Sequence, residues 1–185
     1  LSRNNNRVSA IRSESLRTPL TTCQGAQTVL QQALIGVDCS QSFEQLSRLC
    51  DAKQQCTHLL DLAYWAILHS QRPETVRDYW VVIPDELEGQ ATHAQVFCNG
   101  QIVLEADIQK WQILKPETLS DKPLYKGFKR WLFTLQNPEQ IEAWSVLQKG
   151  YFVAQARPMA IDQLEGEPAT NPTFMLGACY SYSEP

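Results

Sequence analysis

Thr92-His-Ala-Gln-Val-Phe-Cys98, Asn99-Gly100 and Gln101-Ile-Val-Leu-Glu-Ala-Asp107 form the stretch whose reading decides the fold. Asn-Gly between two β-rich runs is the strongest short hairpin signal, because a tight turn of this kind needs positive φ at both central residues. Such a turn predicts antiparallel pairing of Phe97 with Ile102, Gln95 with Leu104 and His93 with Ala106. Upstream, Tyr79-Trp-Val-Val-Ile83 before Pro84 is a continuous apolar run, as expected of a strand covered on both faces. Downstream, Trp111–Leu114 is expected to continue the meander.

Helical spacing flanks this β segment. Thr21 and Gln24 have the spacing of a capping box, and Ala26, Val29, Leu30, Ala33 and Leu34 recur at helical intervals. Gly36 suits the stop. A second helix is expected from about Ser42, with Phe43, Leu46 and Leu49 on one stripe. A third, from about Asp51 to Ser70, is apolar on most of its circumference and ends at Arg72-Pro73. Lys126–Leu135 and Asn137–Lys149 follow. The latter opens with Asn137 as N-cap, Pro138 at N1 and Gln140 at N3. Gly150 is read as its stop, and Tyr151–Ala156 as a final strand. Near the start, Val8–Ile11 reads as a strand after the Asn4-Asn5-Asn6 turn.

Together these elements predict an α+β fold. An antiparallel β-meander of four to six strands carries the central helix 51–70 across one face. The chain is expected to form a single domain over 1–185, with the tail 161–185 docking on the body through the apolar Phe174–Tyr180 stretch. Because the chain opens on Leu1, it is expected to be trimmed or processed, with Leu1 and Ser2 closing an earlier strand.

Composition narrows the function classes. The 185 residues are 43% hydrophobic and 19% charged, which excludes disorder for the body of the chain. A net charge of −4 argues against nucleic-acid binding by bulk phosphate attraction. No apolar run reaches the roughly 18–20 residues of a membrane span. The six cysteines are irregularly spaced, and most lie in apolar patterns, so reduced thiols and a cytoplasmic location are expected.

Several short blocks carry a resemblance. They are Arg17-Thr-Pro19, Thr22-Cys23-Gln-Gly-Ala26, Gln55-Cys56-Thr57-His58-Leu59-Leu-Asp61-Leu-Ala63, Tyr79–Asp85, Gly127-Phe128 with Trp131, and Gly177-Ala-Cys179-Tyr180. In this order, from about Val8 to Pro185, they resemble the bacterial domain of unknown function family 2889, with the Cys-Thr-His-Leu block the most specific element. The family has no established activity, ligand or metal, so the resemblance implies no catalytic role. It marks Cys23, Cys56, His58, Asp61, Gly177, Cys179 and Tyr180 as the residues to weigh.

His58 and Asp61 are three apart on one helix and share a face. A histidine oriented by a carboxylate is the raw material of a general base. The plainer alternative is a structural histidine satisfied by Thr57 or a backbone carbonyl. Cys56 and His58 form only one local ligand pair, and zinc wants four ligands, so no metal is expected. A thiol nucleophile at Cys23, Cys56 or Cys179 activated by His58 is disfavoured by apolar surroundings, which keep thiols protonated. Those three cysteines and Tyr180 are held instead as ligand-binding candidates. His93 is expected to be a half-buried packing histidine. Lys126, Lys129 and Arg130, interleaved with Phe128, Trp131 and Phe133, read as an amphipathic helix rather than a single-strand nucleic-acid platform. No Gly-rich phosphate loop or nucleophile elbow is present.

Two functions follow as expectations. One is a cofactor-independent enzyme acting on a small apolar or acyl substrate, with His58 and Asp61 as acid/base. The other is a non-catalytic ligand-binding or assembly module that forms a homo-oligomer. Either would use the apolar cavity that helix-on-sheet layers leave, where a small apolar molecule fits.

Overall fold

The computed structural model describes residues 1–16, 18, 20–158, 163, 166–169 and 177–183. The fold is α+β, and the chain divides into two compact units, Leu1–Pro73 with Ala160–Pro185, and Glu74–Met159.

The first unit opens with a hairpin of β1 (Ser2–Asn4) and β2 (Arg7–Ala10). Asn5 and Asn6 take φ of 48° and 60°, the left-handed conformation that asparagine tolerates best among side-chain-bearing residues. Thr21–Gly25 forms a 3-10 turn that runs into α1 (Ala26–Leu34). The Thr21–Gln24 capping box does not form, because Thr21–Gly25 are wound as 3-10 turn and neither that turn nor α1 has a side-chain cap. Ser42 and Gln45 make the box instead, opening α2 (Phe43–Leu46). This helix ends before Leu49, which is 40% exposed. The third helix, α3 (Thr57–His69), buries Leu60, Ala63, Tyr64 and Ile67 at i, i+3, i+4 and i+7. Its opposite side is open, with Leu62 67% exposed, so it is half-covered rather than buried all round. Inside this unit α3 packs on α1 and α2, and Phe43 stacks on Trp65 at 4.5 Å.

The second unit holds an antiparallel meander of β3 (Tyr79–Val82), β4 (Thr92–Cys98), β5 (Gln101–Gln109) and β6 (Gln112–Lys115), in that spatial order. Asn99 and Gly100 adopt φ of 50° and 80° and close the hairpin as the Asn-Gly signal predicts. Two details of the strands depart from expectation. Strand β3 lies at the sheet edge with alternating exposure, Trp80 being 67% exposed, so it is covered on one face only. A bulge between Val96 and Phe97 shifts the β4–β5 register after the first pairs. Phe97 pairs with Ile102 as expected, but Gln95 faces Glu105 and His93 faces Asp107.

The sheet's inner face presents Ala94, Val96, Ala106, Ile108 and Ile113, all at most 1% exposed. Against β3, β4 and β5 lies α5 (Pro138–Ala154), which contributes Ala143, Leu147 and Tyr151 to the core. Burial of each large aliphatic side chain there contributes about 1.5–3 kcal/mol. The expected strand at Tyr151–Ala156 is thus the last turns of α5 and the residues just beyond it. Gly150 does not stop the helix. Its φ is not positive, and a Cβ there would meet Val81 Cγ1 at 2.7 Å, so the glycine serves close approach of helix to strand. The short α4 (Phe128–Leu132) buries Phe128 and Trp131 while Lys129 and Arg130 face water. Among the described residues no helix is long and apolar enough to cross a membrane.

Candidate functional site: a cavity beside Arg77

In the second unit, the Asn-Gly turn does more than reverse the chain. Asn99 Oδ1 accepts the Asp78 backbone N–H at 2.9 Å, and the Asn99 N–H donates to the Asp78 carbonyl at 2.8 Å. This double grip fixes the segment just before β3 and with it Arg77. At the other side, Asn137 Oδ1 accepts the Glu139 N–H at 2.9 Å and Pro138 occupies N1, so the start of α5 is set where its sequence signals place it. Glu139 and Glu142, three apart, share a face of α5. Both accept from Arg77 Nη1, at 2.6 and 2.8 Å, while Nη2 lies 3.3 Å from Glu74.

The guanidinium is 16% exposed and the Glu142 side chain 7%. The hydrogen bond to Glu139, with the field of Glu142 behind it, holds the Arg77 proton even more firmly than usual against the opposing effect of burial. Tyr79 lies beside this cluster. Burial first, then Glu142 and a hydrogen bond shared with the Cys98 thiol, push its phenol above the ordinary 10. The phenol is therefore neutral at physiological pH.

These residues border a cavity of about 640 Å³. Val103, Leu104, Pro116, Leu119, Leu135 and Trp144 are its larger apolar lining residues, and Arg77, Tyr79, Asn99, Asn137, Glu139 and Gln140 are among its polar ones. A second, smaller hollow of about 360 Å³ lies by the Lys110-Trp111 turn. There Glu86 accepts from the Tyr151 hydroxyl at 2.5 Å and from the Lys110 N–H at 3.0 Å, tying the loop after β3 to α5 and to the turn.

The residues singled out in the sequence fall mainly in the first unit. Cys23, Cys179 and Tyr180 come together there. Ser181 Oγ lies 3.0 Å from Cys23 Sγ, the Tyr180 N–H donates to the Gln55 carbonyl at 3.0 Å, and the Tyr180 ring rests on Gly25, where a Cβ would collide with its hydroxyl. The Tyr182 phenol is raised, by burial and then by the Cys179 and Cys23 thiols. Gly177 takes φ of 71° and donates its N–H to the Tyr182 carbonyl. Cys56 is the N-cap of α3 and uses no side-chain cap bond. His58 is exposed in the first turn of α3, and Asp61 is half-buried one turn on. Among the described residues no three His, Cys, Asp or Glu side chains are grouped so as to hold a metal ion. Phe174–Leu176, Arg17 and Pro19 lie outside the described residues.

His93 overturns the packing expectation. Its side chain is 55% exposed and its Nδ1 lies 2.7 Å from Asp107, with Nε2 3.5 Å from Glu105. The hydrogen bond that the imidazole donates to Asp107 raises the imidazole above its ordinary 6.5, and the same bond lowers Asp107 below 3.8. The raised histidine stabilises the fold fully below pH 6.5, and that contribution is lost as pH climbs through the raised value. The lowered carboxylate contributes fully above pH 3.8 and fades as pH falls through the lowered value. The pair is therefore at full strength between 3.8 and 6.5. An NMR titration of the His93 ring is expected to give a midpoint above 6.5 that falls in Asp107→Asn; an unmoved midpoint would rule the pairing out.

Searches among protein-family models, curated proteins and solved structures found no match to this chain.

Proposed function

We propose that the Glu74–Met159 unit is a binding module for a small, predominantly apolar molecule, held in the cavity beside Arg77. The lining carries this reading: it combines apolar side chains, Leu104, Leu119 and Trp144 among them, with the polar groups of Arg77 and Tyr79. Ligand pockets combine these two features, and they have volumes of roughly 300–1,000 Å³. Arg77 is already held by its carboxylates, so little of its side-chain entropy is lost when a ligand binds. Among the described lining residues the titratable groups are Arg77, Tyr79, Cys98 and Glu139.

The test is a titration of isotope-labelled protein with 1-octanol, followed by amide chemical shifts. Saturable shifts are expected at Val103, Leu104, Leu119 and Trp144, and Leu119→Trp, which puts a bulkier ring into the lining and narrows the cavity, is expected to weaken binding. Shifts that never saturate, or that survive Leu119→Trp unchanged, would defeat the reading.

A further inference from the structure

We propose that the surface around Tyr125 binds single-stranded nucleic acid, an inference independent of the cavity reading above. Charge is unevenly placed along the chain. Residues 122–138 hold Lys122, Lys126, Lys129 and Arg130 and no acid, in a chain of net charge −4. All four are exposed, and among the described residues none of them is in an ion pair. The rings of α4 do not serve here, since Phe128 and Trp131 are buried. Different rings reach the surface. Tyr125, between Lys122 and Lys126 in sequence, is 55% exposed, and its ring centroid lies 5.3 Å from that of Trp111. Trp111 in turn lies 6.0 Å from Phe152, which is 42% exposed. Two backbone ties hold the basic segment against the Trp111 turn. Gln112 bridges Pro123, and the Leu124 N–H donates to the Trp111 carbonyl at 2.8 Å. Lys110, exposed in that same turn, adds a fifth cation. Acids border the surface at Asp121, next to Lys122 in the chain, and at Glu86 and Glu88, which line the small hollow with Lys110 and Trp111. The five cations outnumber these three.

Sites for single strands combine the same two elements, cations along the phosphates and aromatic rings on which bases stack. The overall negative charge does not forbid this. At about 0.1 M salt the screening length is about 10 Å, so a strand at this surface responds to the charges near it rather than to the total. The open ring of Tyr125 decides the class of polyanion. A duplex keeps its bases stacked on one another, and an acidic peptide brings carboxylates without ring faces. A single strand offers both phosphates and free bases.

Fluorescence anisotropy of a labelled oligothymidylate of about 12 nucleotides tests the proposal. Binding is expected at low salt, with log K falling against log salt by about 0.7 for each phosphate neutralised. Lys126→Gln and Lys129→Gln are each expected to lower that slope by about 0.7. Tyr125→Ala is expected to weaken binding about tenfold and leave the slope unchanged. Tyr125→Phe keeps the ring and is expected to bind like the unaltered chain, as is Lys53→Gln, a charge control in the other unit. Absence of binding at low salt would overturn the proposal. So would a Tyr125→Ala variant that binds as well as the unaltered chain, or displacement of the strand by polyglutamate as readily as by unlabelled oligothymidylate. Either of those results would mark the surface as attractive to polyanions in general.

Discussion

Arg77→Leu lowers the stability of the Glu74–Met159 unit by about 3 kcal/mol, the scale on which removing one partner of a buried ion pair acts. Glu142 is 7% exposed, so loss of the guanidinium 2.8 Å away leaves a carboxylate whose hydration was given up on folding. Glu139, at 58% exposure, is compensated by water and adds little. The expected result is therefore asymmetric. Glu139→Gln costs well under 1 kcal/mol, and Glu142→Leu added to Arg77→Leu recovers most of the loss. Urea unfolding followed by tryptophan fluorescence reads this unit, since Trp80, Trp111, Trp131 and Trp144 lie in it and only Trp65 lies elsewhere. A double variant no more stable than Arg77→Leu alone would show that the Glu142 carboxylate was not the group left uncompensated.

Gly150→Ala is the second large effect, and its sign runs against helix propensity. Alanine in a helix interior is favoured over glycine by about 1 kcal/mol. Here the new methyl meets Val81 Cγ1 at 2.7 Å and Val81 Cβ at 3.1 Å. Val81 is branched at Cβ and held in β3, so relief requires the strand or the helix to move; overpacking of this kind costs about 1–3 kcal/mol. A net loss of about 1–2 kcal/mol is expected. Val81→Ala in the same chain removes the colliding Cγ1 methyl, leaving only the tighter-than-usual Cβ contact, and is expected to recover most of the loss caused by Gly150→Ala. Unfolding midpoints of the single and double variants check both steps. A stabilised Gly150→Ala single variant would mean that helix and strand do not approach this closely.

What could be read in advance follows from the range of the interaction. Asn99-Gly100 and the Asn137-Pro138 start are local signals, and both stand where the sequence places them. Gly150 was equally visible but ambiguous. A glycine ends helices by adopting positive φ or admits a neighbour by lacking Cβ, and only the presence of Val81 across the gap distinguishes the two. The bulge at Val96 and Phe97 has the same character. It moves His93 from opposite Ala106 to opposite Asp107, turning an expected packing residue into a charged pair, and the hairpin sequence carries no mark of it. The cavity was the least legible feature. Arg77 sits in an irregular connection with no periodicity, and its partners Glu139 and Glu142 follow some 60 residues later, so their meeting is purely tertiary. The blocks around Cys23, Cys56 and Cys179 drew the eye to the first unit, where the structure does gather Cys23, Cys179 and Tyr180, by contacts of the short tail turn Tyr180–Tyr182.

The position of β3 has a bearing on how this molecule behaves in crowded solution. An outermost strand offers unpaired backbone groups to any passing strand, and Trp80 and Val82 on its open face would reward such an encounter. The chain keeps the opportunity small. The strand is four residues long, Asp78 and Asp85 bracket it with like charge, and Pro84 denies the ladder a donor just past its end. On the far side of the sheet, Ile113 of β6 already exchanges hydrogen bonds with Asp121 and Lys122. A template for aggregation is thereby reduced to a single short rail with charged buffers at both ends, and substitutions that lengthen it or neutralise those buffers are the ones expected to promote self-templating at this edge.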